Sequence, residues 1–215
     1  MRALTRVRGP IVLAVSGGLD SMVLLHIAAR RRAIRQRCCV ATFDHRSGPH
    51  ATRAVRLVRA TARSLGIPVV SGRAREAAAS EAEWRDVRWR FLRSVAARRG
   101  ATIVTAHSRD DQIETLVMRV LRGASARGLA ALYADSPIAR PLLGASRRSV
   151  EQYARVHSVA FAEDPTNADM RYLRNRVRHE LLPAFRAVQP DFDRELLALA
   201  RRAARVRRQT ELVTA

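Results

Sequence analysis

The chain has 215 residues, 47% of them hydrophobic, and a formal net charge of +21, which allows one full α/β domain with a small appendage and a real core. All 40 basic residues are arginine; an arginine-rich codon preference accounts for only part of that excess, and the rest points to a polyanion such as nucleic acid or to an anionic surface. No segment reaches the ~18 consecutive apolar residues of a membrane span, no signal-peptide core precedes the first strand, and the two cysteines are adjacent, which excludes a membrane protein, a disulfide scaffold and a Cys-x-x-Cys centre and leaves a soluble cytoplasmic protein as the expectation.

In chain order, residues 11–15 read as a buried strand that runs straight into Ser16-Gly17-Gly18-Leu19-Asp20-Ser21, and residues 21–31 as a helix. A glycine pair lets the backbone approach an anion, and the amides of the helix start face it with the positive end of the dipole. The loop lacks the lysine that a Walker-type loop needs after its last glycine. A second apolar run at 40–43 ends at Asp44-His45, and a helical spacing over 51–65 stops at Gly66. A short strand at 67–70, a long helix over 81–98, a strand at 102–106 and a helix over 110–121 follow. Cys38 and Cys39 are read as packing residues of the second strand.

This rhythm predicts a doubly wound, mainly parallel sheet of the Rossmann-like class. After about residue 141 the strand signal fades, and 147–157, 172–185 and 191–209 read as helices. The expected division is a catalytic domain over 1–143 and a helical appendage over 144–215, with no internal repeat.

Ligands of parallel sheets sit where the carboxyl ends of strands meet the following loops. Three candidate sites fall at such ends: Ser16 to Ser21, Asp44-His45, and the stretch from His107 to Glu114. His107, Asp111 and Glu114 are spaced i, i+4, i+7, as along one helical face. That trio suits holding Mg²⁺ through oxygen ligands, orienting an amine or moving protons. Taken alone it reads first as an N-cap with an acidic first turn; beside the glycine loop, the chemical reading is preferred.

The series Ser16-Gly17-Gly18-Leu19-Asp20-Ser21, Asp44-His45, His107 with Asp110-Asp111-Gln112-x-Glu114-Thr115, Arg122-Gly123, Arg140-Pro141-Leu142-Leu143, Glu163-Asp164-Pro165 and Arg174-Asn175-Arg176-x-Arg178-His179 resembles the tRNA(Ile)-lysidine synthase family of PP-loop ATP pyrophosphatases. The resemblance runs from residue 11 to about 185. It implies an adenine nucleotide alpha hydrolase-like fold and a two-step reaction. ATP adenylates the C2 oxygen of the wobble cytidine in the CAU anticodon of tRNA(Ile), releasing pyrophosphate; the amine of free L-lysine then attacks C2 and AMP leaves.

By the same resemblance, Ser16, Gly17, Gly18, Leu19, Asp20 and Ser21 bind ATP, and Asp20 with Asp111 holds Mg²⁺. His107 stabilises the adenylated intermediate, Glu114 or Asp111 attracts the lysine ammonium, Arg85 and Arg88 match an Arg-x-x-Arg-aromatic helix that meets the α-phosphate or the base, and Arg174 belongs to a cluster closing the site. Two departures stand out. After Asp44-His45 the family continues Gly-Leu-Arg, whereas this chain has Arg46-Ser47-Gly48. Nothing corresponds to the family's C-terminal tRNA-gripping domains, so a short form or a truncated piece is expected, with Arg201, Arg202, Arg205, Arg207 and Arg208 assisting. Another PP-loop enzyme such as a tRNA thiolase and a non-catalytic RNA-binding module are the alternatives. The oligomeric state is open, a dimer being one option.

Overall fold

The computed structural model describes residues 2–75 and 81–213. Strands β1 (Ile11–Ala14), β2 (Cys38–Asp44), β3 (Val69–Arg73), β4 (Thr102–Val104) and β5 (Ile138–Ala139) form one sheet in the order β3-β2-β1-β4-β5, with every pair parallel. This is the expected doubly wound sheet. The order reverses on either side of β1, so the crevice beyond the carboxyl ends of β1 and β4 is the switch point at which such sheets bind ligands.

The α-helices are α1 (Arg2–Thr5), α2 (Leu19–Ala29), α3 (Arg32–Arg35), α4 (Pro49–Ser64), α5 (Glu81–Ala97), α6 (Arg109–Leu121), α7 (Ala126–Leu129), α8 (Arg147–Val156), α9 (Leu173–Arg176), α10 (Leu182–Val188) and α11 (Phe192–Val213). By contacts the chain falls into two compact units, Met1–Ser108 with Pro137–Asp164, and Arg109–Ser136 with Pro165–Ala215. The boundary therefore lies elsewhere than at residue 143. Residues 137–164 stay with the sheet because Ile138 and Ala139 pair with β4 and because Val150 and Ala154 of α8 complete its core.

In the first unit alternate strand residues serve opposite faces. Val12, Ala41 and Ile103 pack under Trp89, Leu92, Val95 and Ala96 of α5. Leu13 and Val40 face the other way, toward α2, Val58 and Ala62 of α4, and α8. Helix α2 is buried almost all round, as a central helix of an α/β sheet must be. Pro49 opens α4, and Gly66 closes it at φ +66° while the Ile67 amide bonds back to the Ala62 carbonyl at 2.9 Å. The third strand starts two residues later than its apolar run suggests. Pro68 has no amide to donate, so pairing begins with its carbonyl, which accepts from the Val40 amide at 2.7 Å.

The second unit is helical. Ile113, Leu116 and Val117 of α6 pack with Val177, Leu182, Leu197 and Ala200. The single helix expected over 172–185 is instead α9, a π-helical turn at Val177–Leu181 and α10.

Where α8 lies on α2, the Tyr153 hydroxyl is 3.0 Å from His26 Nδ1, and the rings of His26 and His157 are 5.4 Å apart. Burial, then the charges of His157 and Arg30, hold the His26 imidazole below its ordinary 6.5. Its neutral form is favoured in the folded state, so this stabilisation is complete above pH 6.5 and is lost as pH falls through the folded-state value. The melting temperature is expected to hold steady at neutral pH and to fall on acidification below 6.5. His26→Gln should flatten that fall; an unchanged slope in the variant would remove His26 as its cause.

Candidate active site

The loop after β1 is braced from within. Ser21, 6% exposed, accepts hydrogen bonds from the amides of Ser16 and Gly17 at 3.2 Å each and donates its own proton to the Gly18 carbonyl at 2.8 Å. Ser16 Oγ lies 3.2 Å from Ser21 Oγ. The serine expected to touch phosphate directly is thus the brace, and Ser16 is the exposed hydroxyl of the pair.

Gly17 sits at φ +98°, and a Cβ there would lie 2.9 Å from Ala54 Cβ and 3.1 Å from the Ala54 carbonyl oxygen of α4. Its own carbonyl accepts from the Ala162 amide at 2.9 Å. The loop is gripped on two sides. Gly18 is the N-cap of α2 and brings no side-chain cap, so the first-turn amides are left for an anion. Leu19 anchors the turn in the core below, and Asp20 lies half-buried in the first turn.

The second candidate end is built on Asp44, 5% exposed. Its Oδ1 accepts from the Arg46 amide at 2.8 Å, its Oδ2 from the Thr52 hydroxyl at 3.0 Å, and Arg73 Nε lies 3.4 Å away. These bonds hold Arg46 at φ +60°, in the stretch where the sequence departs from the family pattern. His45 packs edge-on to Phe43, and burial followed by the charge of Arg88 keeps its imidazole below the ordinary range. It is therefore a neutral ring at neutral pH.

After β4 residues 105–108 form a connection without regular structure, and α6 begins only at Arg109. His107 therefore precedes the helix, and the expected i, i+4, i+7 face is reduced to Asp111 and Glu114 at i, i+3. The His107 Nδ1 lies 2.7 Å from the Thr105 hydroxyl, which fixes the ring. The acidic residues Asp110 and Asp111 occupy the first turn of α6, where they also suit the helix dipole.

In the second unit Glu114 is 2% exposed. Arg178 forks onto it, Nε to Oε1 at 2.6 Å and Nη2 to Oε2 at 3.1 Å, and Arg174 Nε lies 3.1 Å from Oε2. Both carboxylate oxygens are occupied by guanidinium groups, so Glu114 enters as the anchor of two arginines and not as an open seat for an amine. The neighbouring Asn175 is buried and donates to the carbonyls of Thr166 and Asp169 at 2.7 and 2.8 Å. Gln112, fully buried, accepts from the Leu132 amide at 2.9 Å. Sequence reasoning gave Arg178 no partner; its spacing of four from Arg174 was the available signal.

Back in the first unit, Arg85 is exposed on α5 beside Arg140. Burial, then the charge of Arg85, pushes the Arg140 guanidinium below its ordinary value. Trp89 is a core residue at 9% exposure. Among the described residues no three His, Cys, Asp or Glu side chains gather as a metal cage. A divalent ion here would depend on phosphate oxygens and water to fill its shell, which is how Mg²⁺ is ordinarily held beside one or two carboxylates. Also among the described residues, no helix is long and apolar enough to cross a membrane.

The chain is similar to curated proteins named tRNA(Ile)-lysidine synthase. It is 42% identical over 218 residues to that of Bradyrhizobium sp. (strain BTAi1 / ATCC BAA-1182), covering 95% of this chain and 60% of the relative. It is 40% identical over 216 residues to that of Rhodopseudomonas palustris, covering 95% and 62%, and 37% identical over 217 residues to that of Pseudomonas aeruginosa, covering 97% and 48%. The chain thus spans between 48% and 62% of the length of these relatives. Among solved structures, the U34-tRNA thiolase NcsA from Methanococcus maripaludis superposes with a TM-score of 0.76 at 13% identity, over 95% of this chain and 77% of that one; the likeness is one of fold. A family model of the PP-loop domain matches residues 3–185, which include the braced glycine loop, both later strand ends and the arginine-anchored Glu114, and the chain belongs to that PP-loop family.

Proposed function

We propose that the chain is the catalytic part of a tRNA(Ile)-lysidine synthase. The reading is carried by 37–42% identity to synthases over nearly the whole chain. The PP-loop geometry supports it. The cytidine C2 oxygen attacks the α-phosphorus of ATP and pyrophosphate leaves; the lysine amine then attacks C2, the C2–O bond breaks and AMP departs.

The α2 first-turn amides and Ser16 take the phosphates, with Ser21 and Gly17 keeping those amides aimed. Asp20 and Asp111 are assigned as the carboxylates for Mg²⁺, which when bound would stabilise charge on the departing pyrophosphate. His107, held by Thr105, is assigned to the adenylated base, Arg85 to the α-phosphate or base, and Asp111, with its carboxylate in a first turn, to the lysine ammonium. Arg174 and Arg178 shape the cluster through Glu114.

The thiolase reading is weaker. Cys38 and Cys39 are adjacent on β2, so their side chains face opposite ways, and burial pushes the Cys38 thiol up to about 11. A buried thiol of that kind is not a ready metal ligand. A binding module without catalysis would have no use for the Asp20, His107 and Asp111 set.

Purified protein with ATP, radiolabelled lysine and a tRNA(Ile) transcript bearing CAU is expected to put label into the RNA, and Asp111→Ala to reduce the rate by about 100-fold or more. ATP binding by folded protein with no label transferred would refute the synthase reading. Full activity of Asp111→Ala would refute only that residue's assignment.

A further inference from the structure

Along the α5 side of the sheet runs an open groove of about 480 Å³. Helix α5 joins the carboxyl end of β3 to the start of β4 in a parallel sheet, so it runs against the strands. Arg85 therefore lies toward the carboxyl edge, with Arg90 and Arg93 further down the same wall. Ile138 of β5 and Arg140 just after it form the opposite wall. Asp86 is the single carboxylate lining the groove against four guanidiniums.

Several arginines elsewhere are tied to carboxylates: Arg147 to Glu151, Arg176 to Glu180, Arg186 to Asp193 and Arg194 to Asp191. Among the described residues, Arg90 and Arg93 have no carboxylate partner of this kind. The Arg93 guanidinium lies over the Trp89 ring at 5.9 Å, and since Trp89 is set in the core, that contact holds Arg93 against the wall. From Arg85 to Arg93 the helix rises about 12 Å. That is too far for a single phosphate group and suits a chain of them.

We infer that this groove is a track for the RNA backbone, in which Arg90 and Arg93 contact successive phosphates outside the nucleotide loop. The inference rests on the tRNA reading above and adds where the RNA lies on the first unit. Phosphate contacts of this kind position the RNA and carry no base specificity.

The test is the salt dependence of binding of a fluorescent anticodon stem-loop RNA to the whole chain. It compares the unsubstituted protein, the double variant Arg90→Gln/Arg93→Gln, and a control, Arg56→Gln/Arg59→Gln on α4, that removes the same charge from another helix. The groove variant is expected to weaken binding about 10-fold near physiological salt and to lower the slope of log K against log salt by about 1.4 to 2, with ATP binding unchanged. The control should move the slope much less. Equal losses in the two variants would show that only net charge matters and overturn the track. So would a groove variant that loses binding to phosphatidylserine vesicles while keeping its RNA slope. If the unsubstituted protein binds no RNA, both the track and the synthase reading fail. If lysidine forms and the groove variant binds RNA normally, the track alone fails.

Discussion

Gly17→Ala is expected to cost about 2–4 kcal/mol of folding stability and to lower ATP-dependent turnover on the order of 100-fold. Two independent penalties meet at this position. Alanine at φ +98° is strained whatever the space, and its Cβ would sit 2.9 Å from Ala54 Cβ and 3.1 Å from the Ala54 carbonyl. Neither neighbour is a flexible tip: one is a β-carbon set on α4 and the other is helix backbone. Relief must come from the loop, which carries the Gly17 amide off Ser21 and turns the α2 first-turn amides from the phosphates. Urea denaturation and steady-state kinetics read the two losses separately. Adding Ala54→Gly removes the Cβ contact but neither the approach to the residue 54 carbonyl nor the strained dihedral, at a helix cost of about 1 kcal/mol; it should therefore restore part of the turnover and little of the stability. Wild-type turnover in the single variant would mean that the loop geometry is not what binds ATP.

Glu114→Gln keeps shape and volume and removes one charge, and we expect it to destabilise the chain by about 2–3 kcal/mol. Removing one partner of a buried pair leaves the other charge uncompensated, and here two guanidiniums converge on one carboxylate that is 2% exposed. The estimate stays below the full buried-pair figure because the Arg174 and Arg178 side chains are 35% and 26% exposed and water screens part of the charge. Arg178→Met in the Glu114→Gln background should cost less than Arg178→Met alone, a coupling that a double-mutant cycle measures. The competing role, a carboxylate that receives the lysine ammonium, makes the opposite prediction: normal stability and a raised KM for lysine. That pattern would overturn the anchor.

The alternation of apolar runs and helical spacings was enough to read the parallel sheet, because a fully buried parallel strand must be apolar along its whole length. It did not reveal β5. Two residues at a sheet edge, Ile138 and Ala139, carry no periodicity, and only pairing with β4 makes them a strand. Nor did it reveal the break after Arg176. Residues 172–185 read as one helix because a single π-helical turn leaves the local residue types helical.

The glycine loop was legible as a strand-to-helix turn, since two glycines between an apolar run and a helix start permit that local backbone. Its bracing was not, because Ser21 could equally have faced a phosphate, and Ala54 comes from a helix more than thirty residues away. Likewise His107, Asp111 and Glu114 were legible as chemistry-bearing residues in one stretch, yet one spacing rule cannot say where a helix begins. The helix begins only at Arg109, after His107, which bonds Thr105, and that decided which of them share a face.

By itself, then, the sequence determined the doubly wound sheet, the glycine turn into the first long helix and the strongly cationic character, all of which follow from residue type and near-neighbour spacing. Only the tertiary structure decided the partners: Ser21 to its own loop, Glu114 to Arg178 and Arg174, and Arg90 and Arg93 to one open groove. Pairing between charges is set by long-range packing, and in a chain with 40 arginines and 19 acidic residues no sequence pattern tells which arginines the acids will leave over.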